Sequence, residues 1–86
     1  MRGEMMSTIT ITVCDQKKTF SYDLEVPVMQ AMDTLSTDIV EVLEGCHVTL
    51  NKTNVQFFVP RLKRILNNYE TLGQAGVYNG DYLIIY

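Results

Sequence analysis

The feature that most constrains this chain is a change of period at Pro27. Before it, apolar residues recur at every second position. Ile9, Ile11 and Val13 alternate with Thr8, Thr10 and Thr12, and Phe20, Tyr22, Leu24 and Val26 alternate with Thr19, Ser21, Asp23 and Glu25. Period 2 marks strands with one buried face, so residues 8–14 and 19–26 are predicted strands. Asp15-Gln16-Lys17-Lys18 between them is too short for anything but a hairpin turn. After Pro27 the apolar residues fall at Val28, Ala31, Met32, Leu35, Ile39, Val42 and Leu43, the stripe of an amphipathic helix. Pro27 is assigned to that helix's first turn, where its missing N–H costs nothing, and Gly45 to the left-handed residue that ends it. Gln30, Asp33, Thr34, Thr37, Asp38, Glu41 and Glu44 form the polar side.

The second half returns to strands. Asn51-Lys52-Thr53-Asn54 reads as a polar break, and residues 55–59 as a third strand ended by Pro60. Residues 63–66 suggest a short strand, with a helical turn as the alternative, and residues 67–70 a turn. Thr71 caps a short helical turn that Gly76 stops. Asn79-Gly80 supplies the positive-φ positions of a tight turn into residues 82–86, whose composition is that of a buried strand. A right-handed crossover puts the helix on the apolar face, and a last strand this apolar belongs beside the first at the centre of the sheet. The expected fold is α+β: a β-grasp, with a mixed four- to five-stranded sheet and one long helix packed on one face.

At 86 residues the chain is one domain, read as residues 7–86 behind a disordered leader, residues 1–6. A hydrophobic content of 47% is too high for general disorder, and a net charge of −3 gives no reason to attract phosphate backbones, so nucleic acid is not an expected partner. No apolar run approaches the ~20 residues that span a bilayer. The leader lacks the apolar core of a signal peptide, which makes the cytoplasm the expected compartment. Cys14 and Cys46 are too few for a disulfide framework and are read as free thiols.

The inventory for chemistry is thin. His47, the lone histidine, adjoins Cys46, but neighbours in sequence face different ways and make no nucleophile–base pair. Cys14, Cys46 and His47 do not have the number or spacing of a metal site. Asp23 and Glu25 share a strand face, where they protect an edge more readily than they catalyse. Gly73, Gly76 and Gly80 lack the Lys-Ser/Thr of a phosphate loop. No enzyme, cofactor or metal is expected.

Two segments carry a family resemblance: Tyr22-Asp23-Leu24-Glu25-Val26-Pro27, and Gly76-Val77-Tyr78-Asn79-Gly80-Asp81-Tyr82-Leu83-Ile84-Ile85. With the element order over residues 7–86, they resemble the YukD/EsaB-like family, small bacterial ubiquitin-like proteins of type VII (WXG100, ESX-like) secretion systems. The resemblance implies a cytosolic accessory or regulatory component, peripheral to a membrane-embedded machine, whose partners are other proteins of that machine. It offers no catalytic residue. The chain ends on its last strand without the flexible Gly-Gly tail of an activated carrier, so conjugation to targets, or work as a sulfur carrier with an activating enzyme, is the disfavoured alternative.

Ubiquitin-like folds recognise partners through the sheet face away from the helix. If Val55, Phe57 and Val59 face the helix, Phe58 points outward. The same alternation turns Leu83 and Ile85 in and Tyr82, Ile84 and Tyr86 out. Phe58, Ile84, Tyr82 and Tyr86 are therefore the expected protein-binding patch, edged by Thr10 and Thr12, with Arg61, Lys63 and Arg64 as rim charges. The alternative use of the same face is closure of a homodimer.

Overall fold

In a computed structural model that describes residues 7–50 and 55–86, the two alternating segments form an antiparallel hairpin, β1 (Thr8–Asp15) and β2 (Ser21–Pro27). The leader expected at 1–6 and the polar break at 51–54 lie outside the described residues. The hairpin turns without glycine because Lys18 takes the left-handed conformation, φ 56°, and its amide donates to the Asp15 carbonyl at 3.1 Å. The Asp15 carboxylate accepts from the Thr19 amide at 2.6 Å and from the Thr19 hydroxyl. Those bonds favour the charged form and hold the Asp15 carboxyl below the usual range.

Pro27 corrects the sequence reading. It is the last residue of β2, opposite Thr8, and the Val28 amide extends the ladder to the Ser7 carbonyl at 3.0 Å. The period changes at Pro27, but the backbone does not coil until α1 (Met32–Gly45), so the helix is 14 residues rather than a long one starting at Val28. Its N-cap, Ala31, has no capping side chain. Carbonyls of a distant loop take that role: the Met32 amide donates to Glu70 at 2.9 Å and the Asp33 amide to Asn68 at 3.1 Å. Met32, Leu35, Ile39 and Leu43 form the buried stripe, whereas Val42 is 48% exposed and stands off it. Gly45 is not the left-handed residue either. His47 is, at φ 68°, in a Schellman motif in which its amide bonds to the Glu44 carbonyl and the Val48 amide to the Leu43 carbonyl, both at 3.0 Å.

Three strands complete the sheet: β3 (Phe57–Val59), β4 (Arg64–Ile65) and β5 (Tyr82–Ile85). The order is β2-β1-β5-β3-β4, with β5 parallel to β1 and antiparallel to β3. This is the ubiquitin-like β-grasp, with the last strand central. β3 is shorter than the strand expected at 55–59, and the ambiguous segment at 63–66 forms the short strand rather than the helical turn. Between β4 and β5, α2 (Leu72–Ala75) starts from a reciprocal capping box of Thr71 and Gln74 and stops at Gly76, φ 85°. Ile11, Val13, Phe57, Val59, Leu83 and Ile85 meet the helix stripe in one core, each burial contributing about 1.5–3 kcal/mol.

The loop into β5 fixes its register. The Gly80 amide donates to the Thr10 carbonyl at 2.8 Å, and the Asn79 Oδ1 accepts from the Thr10 amide at 2.8 Å. Only Gly80 has positive φ, 91°; Asn79 serves through its side chain instead. The Thr12 amide donates to the Asp81 carbonyl at 3.0 Å, and the Asp81 carboxylate accepts from the Tyr78 amide at 2.8 Å.

Candidate protein-docking surface

Because partners in a sheet share a face, the register defines what the helix-free side presents. Cys14 lies opposite both Ser21 and Ile84, Ile84 opposite Phe58, and Phe58 opposite Ile65. A row Ser21–Cys14–Ile84–Phe58–Ile65 therefore crosses all five strands on that face. One step along, Asp23, Thr12 and Tyr82 make a second row. At the other flank Tyr86 and Gln56 exchange backbone hydrogen bonds at 2.9 and 3.4 Å, and the Tyr86 and Phe58 rings stand 6.1 Å apart at 59°. Ile84, Phe58 and Tyr86 are half-buried by one another, while Tyr82 is 50% and Ile65 41% exposed.

The four expected patch residues thus come together on one face, beside Thr12. Ile65 is the member the sequence reading left out. A signal was available: with Phe58 outward and a four-residue turn after Val59, Phe58 falls opposite Ile65. Cys14 is also on this face, but it is 1% exposed, and burial pushes its thiol pKa up. It fills the sheet surface beneath its neighbours.

Of the expected rim charges, Arg61 and Arg64 are engaged within the chain. The Arg61 Nε donates to both Asp81 carboxylate oxygens at 2.8 and 3.1 Å, and its guanidinium also reaches the Gly76 carbonyl and covers the Tyr78 ring at 4.4 Å. Arg64 sits opposite buried Val59, on the helix side, and grips Glu70 through two bonds of 2.8 Å. Both arginines fasten loops. They hold the Asp81 and Glu70 carboxyls below the usual carboxylate range, and the carboxylates in turn raise the arginine pKa values. Lys63 is exposed in the β3–β4 turn, in a left-handed conformation with φ 57°.

On the β2 side the face is acidic. The Asp23 Oδ1 accepts from the Thr12 hydroxyl and the Glu25 Oε2 from the Thr8 hydroxyl, each at 2.7 Å. These neutral donors aim the carboxylates without compensating their charge. Cys46 lies at the end of α1, on the other layer from Cys14, and both cysteines are free thiols. Among the described residues no cluster of three or more His, Cys, Asp or Glu side chains is placed to hold a metal ion.

The model of the family described as "WXG100 protein secretion system (Wss), protein YukD" matches residues 8–85. Among curated proteins none matches by sequence. Among solved structures, the ubiquitin-like domain of the Mycobacterium tuberculosis type VII secretion system protein EccD1 is similar at TM-score 0.73 and 25% identity, over 93% of this chain and 98% of that one. The EccD5 ubiquitin-like domain of Mycobacterium xenopi gives TM-score 0.76 at 12% identity, over 93% of each chain. The ubiquitin of Caldiarchaeum subterraneum gives 0.71 at 19%, over 92% of this chain and 91% of that one. These last two show a shared fold.

Proposed function

The chain belongs to the YukD family, and on that premise we propose that it is a non-enzymatic docking module of a WXG100 protein secretion system. Its partners are other protein components of that machine. Its place is the cytoplasm, beside the membrane-embedded parts, as the family resemblance implies; no helix among the described residues is long and apolar enough to cross a membrane. The observation that carries the reading is the apolar row on the open sheet face, Ile84–Phe58–Ile65, flanked by Tyr82 and Tyr86. Clustered apolar side chains on a solvent face are a recognition surface, since scattered ones suffice for solubility. Aromatic members suit anchors that bury much area at little entropic cost.

Complementation of a deletion strain tests it, with export of the WXG100 protein as the readout. The unaltered chain restores export; Phe58→Asp and Ile84→Asp fail to, although both purified variants unfold cooperatively near the wild-type temperature. Full export with either folded variant overturns the docking role of this face. Sedimentation at micromolar concentration addresses the homodimer alternative: the expected species is a monomer, and a dimer that Ile84→Asp dissolves would reassign the face to self-association.

A further inference from the structure

We propose that the open sheet face is shaped for a protein segment whose apolar centre is flanked by lysine or arginine on the side lying over β2. This rests on the docking role of that face and specifies the chemistry of what docks there. The charge distribution carries it. Among the described residues the ion pairs are Arg61–Asp81 and Arg64–Glu70, so both arginines are neutralised within the chain. Asp23 and Glu25 have no such partner among the described residues; each is held by a threonine hydroxyl at 2.7 Å. Two strand spacings separate β2 from β5, about 10 Å, which is within one Debye length at 0.1 M salt. A cation seated over Asp23 and Glu25 is therefore within reach of a chain whose apolar side chains rest on Ile84 and Phe58. Aiming by Thr8 and Thr12 removes rotamer freedom from the carboxylates before the partner arrives, which lowers the entropic cost of the contact. An acid-flanked segment meets two fixed like charges at the same place, so the face discriminates by repulsion as well as attraction.

Other acids without an ion pair among the described residues, Asp33, Asp38, Glu41 and Glu44, line α1 on the other layer. They provide the internal control, because a ligand following net charge alone would collect there. The test uses isotope-labelled protein and three synthetic peptides with one shared Leu-Phe centre, flanked by three lysines, three serines or three glutamates. The expected result is that the lysine peptide perturbs the amide signals of Ile84, Phe58 and Thr12 and binds about tenfold more tightly than the serine peptide at low salt, with the glutamate peptide weaker still. The advantage should vanish in the double variant Asp23→Asn, Glu25→Gln, which retains the apolar face, and shrink at high salt. Equal binding of all three peptides to the face overturns the charge preference and leaves the docking role standing. Perturbation confined to α1 for the lysine peptide also overturns it. No perturbation of the face by any peptide, with Ile84→Asp behaving like wild type in export, removes the docking role itself.

Discussion

Backbone conformation at single residues decides three positions that look alike in the sequence. Gly45, His47 and Gly76 all sit near helix ends, yet Gly45 is helical, whereas His47 and Gly76 have φ of 68° and 85°. A Cβ built on Gly45 meets nothing within 4 Å, so Gly45→Ala replaces a flexible helical residue with a good helix former. It should stabilise the fold by roughly 0.5–1 kcal/mol, less if the last turn frays. His47→Gly relieves a left-handed side chain and should gain up to about 1 kcal/mol. Gly76→Ala forces the opposite change and should lose roughly 1–2 kcal/mol. Urea unfolding of the three variants checks the order. Were Gly45 the left-handed cap that its place after the apolar stripe suggests, the first sign would reverse. The sequence could not separate these cases, because the residue that turns the chain is set by where the helix stops packing. Leu43 is its last buried side chain, and the Schellman bonds then fall on His47 and Val48 whatever their identity.

At the scale of elements, legibility followed the range of the interaction. β1, β2 and β5 were readable because period-2 alternation is local and each residue's face follows from its neighbour's. The start of α1 was not, since Pro27 is held in β2 by pairing with Thr8, nineteen positions earlier in the chain, and the first amides of α1 bond to Glu70 and Asn68. The ion pairs of Arg64 and Arg61 are not legible for the same reason: their carboxylates lie 6 and 20 positions away, in loops the sequence does not place beside them. The Gly-Val-Tyr-Asn-Gly-Asp segment that carried the family resemblance is explained by architecture. Gly76 ends α2, Asn79 and Gly80 bind Thr10, and Asp81 binds Tyr78 and Arg61. This clasp gives the fold an acid dependence. Hydrogen bonding from Arg61 lowers the Asp81 pKa in the folded state, so unfolded chains bind the proton more tightly. Its stabilisation is complete above the unfolded value of about 3.9 and is lost as pH falls through the lower folded value. Asp81→Asn should therefore be less stable than wild type by a constant amount above about pH 5, with the gap closing below about pH 4. Glu70 is lowered in the same direction by Arg64 but is present in both proteins, so the difference isolates Asp81. Parallel stability curves from pH 7 to pH 2 would remove the clasp from the account.

The whole molecule is two layers with different chemistry on their outer sides, and the two cysteines report one on each. The helix layer presents Asp33, Asp38, Glu41 and Glu44; the sheet layer presents the apolar row with acids at one edge. A surface so divided can hold one partner on the sheet and remain repelled from like-charged neighbours on the helix, a distribution that favours one orientation of docking. Cys46 is half-buried at the end of α1, whereas Cys14 is 1% exposed in a strand hydrogen-bonded on both edges. Lying on opposite layers, they cannot reach the Cα separation of about 4.4–6.8 Å that a disulfide needs without disrupting the sheet. The free thiols should therefore label in two phases with a water-soluble thiol reagent. Cys46 reacts in the native protein. Cys14 waits for β1 to separate from β5 or β2, and because those strands carry the core residues Ile11, Val13 and Leu83, that opening approaches global unfolding. The slow rate should then rise with urea along the same slope as equilibrium unfolding, and Leu83→Ala, expected to lose about 2–5 kcal/mol, should accelerate it without changing the fast phase. Two equally fast thiols, or a slow phase indifferent to urea, would mean that the centre of the sheet opens locally and that the face built on Ile84 and Phe58 is not the rigid platform described.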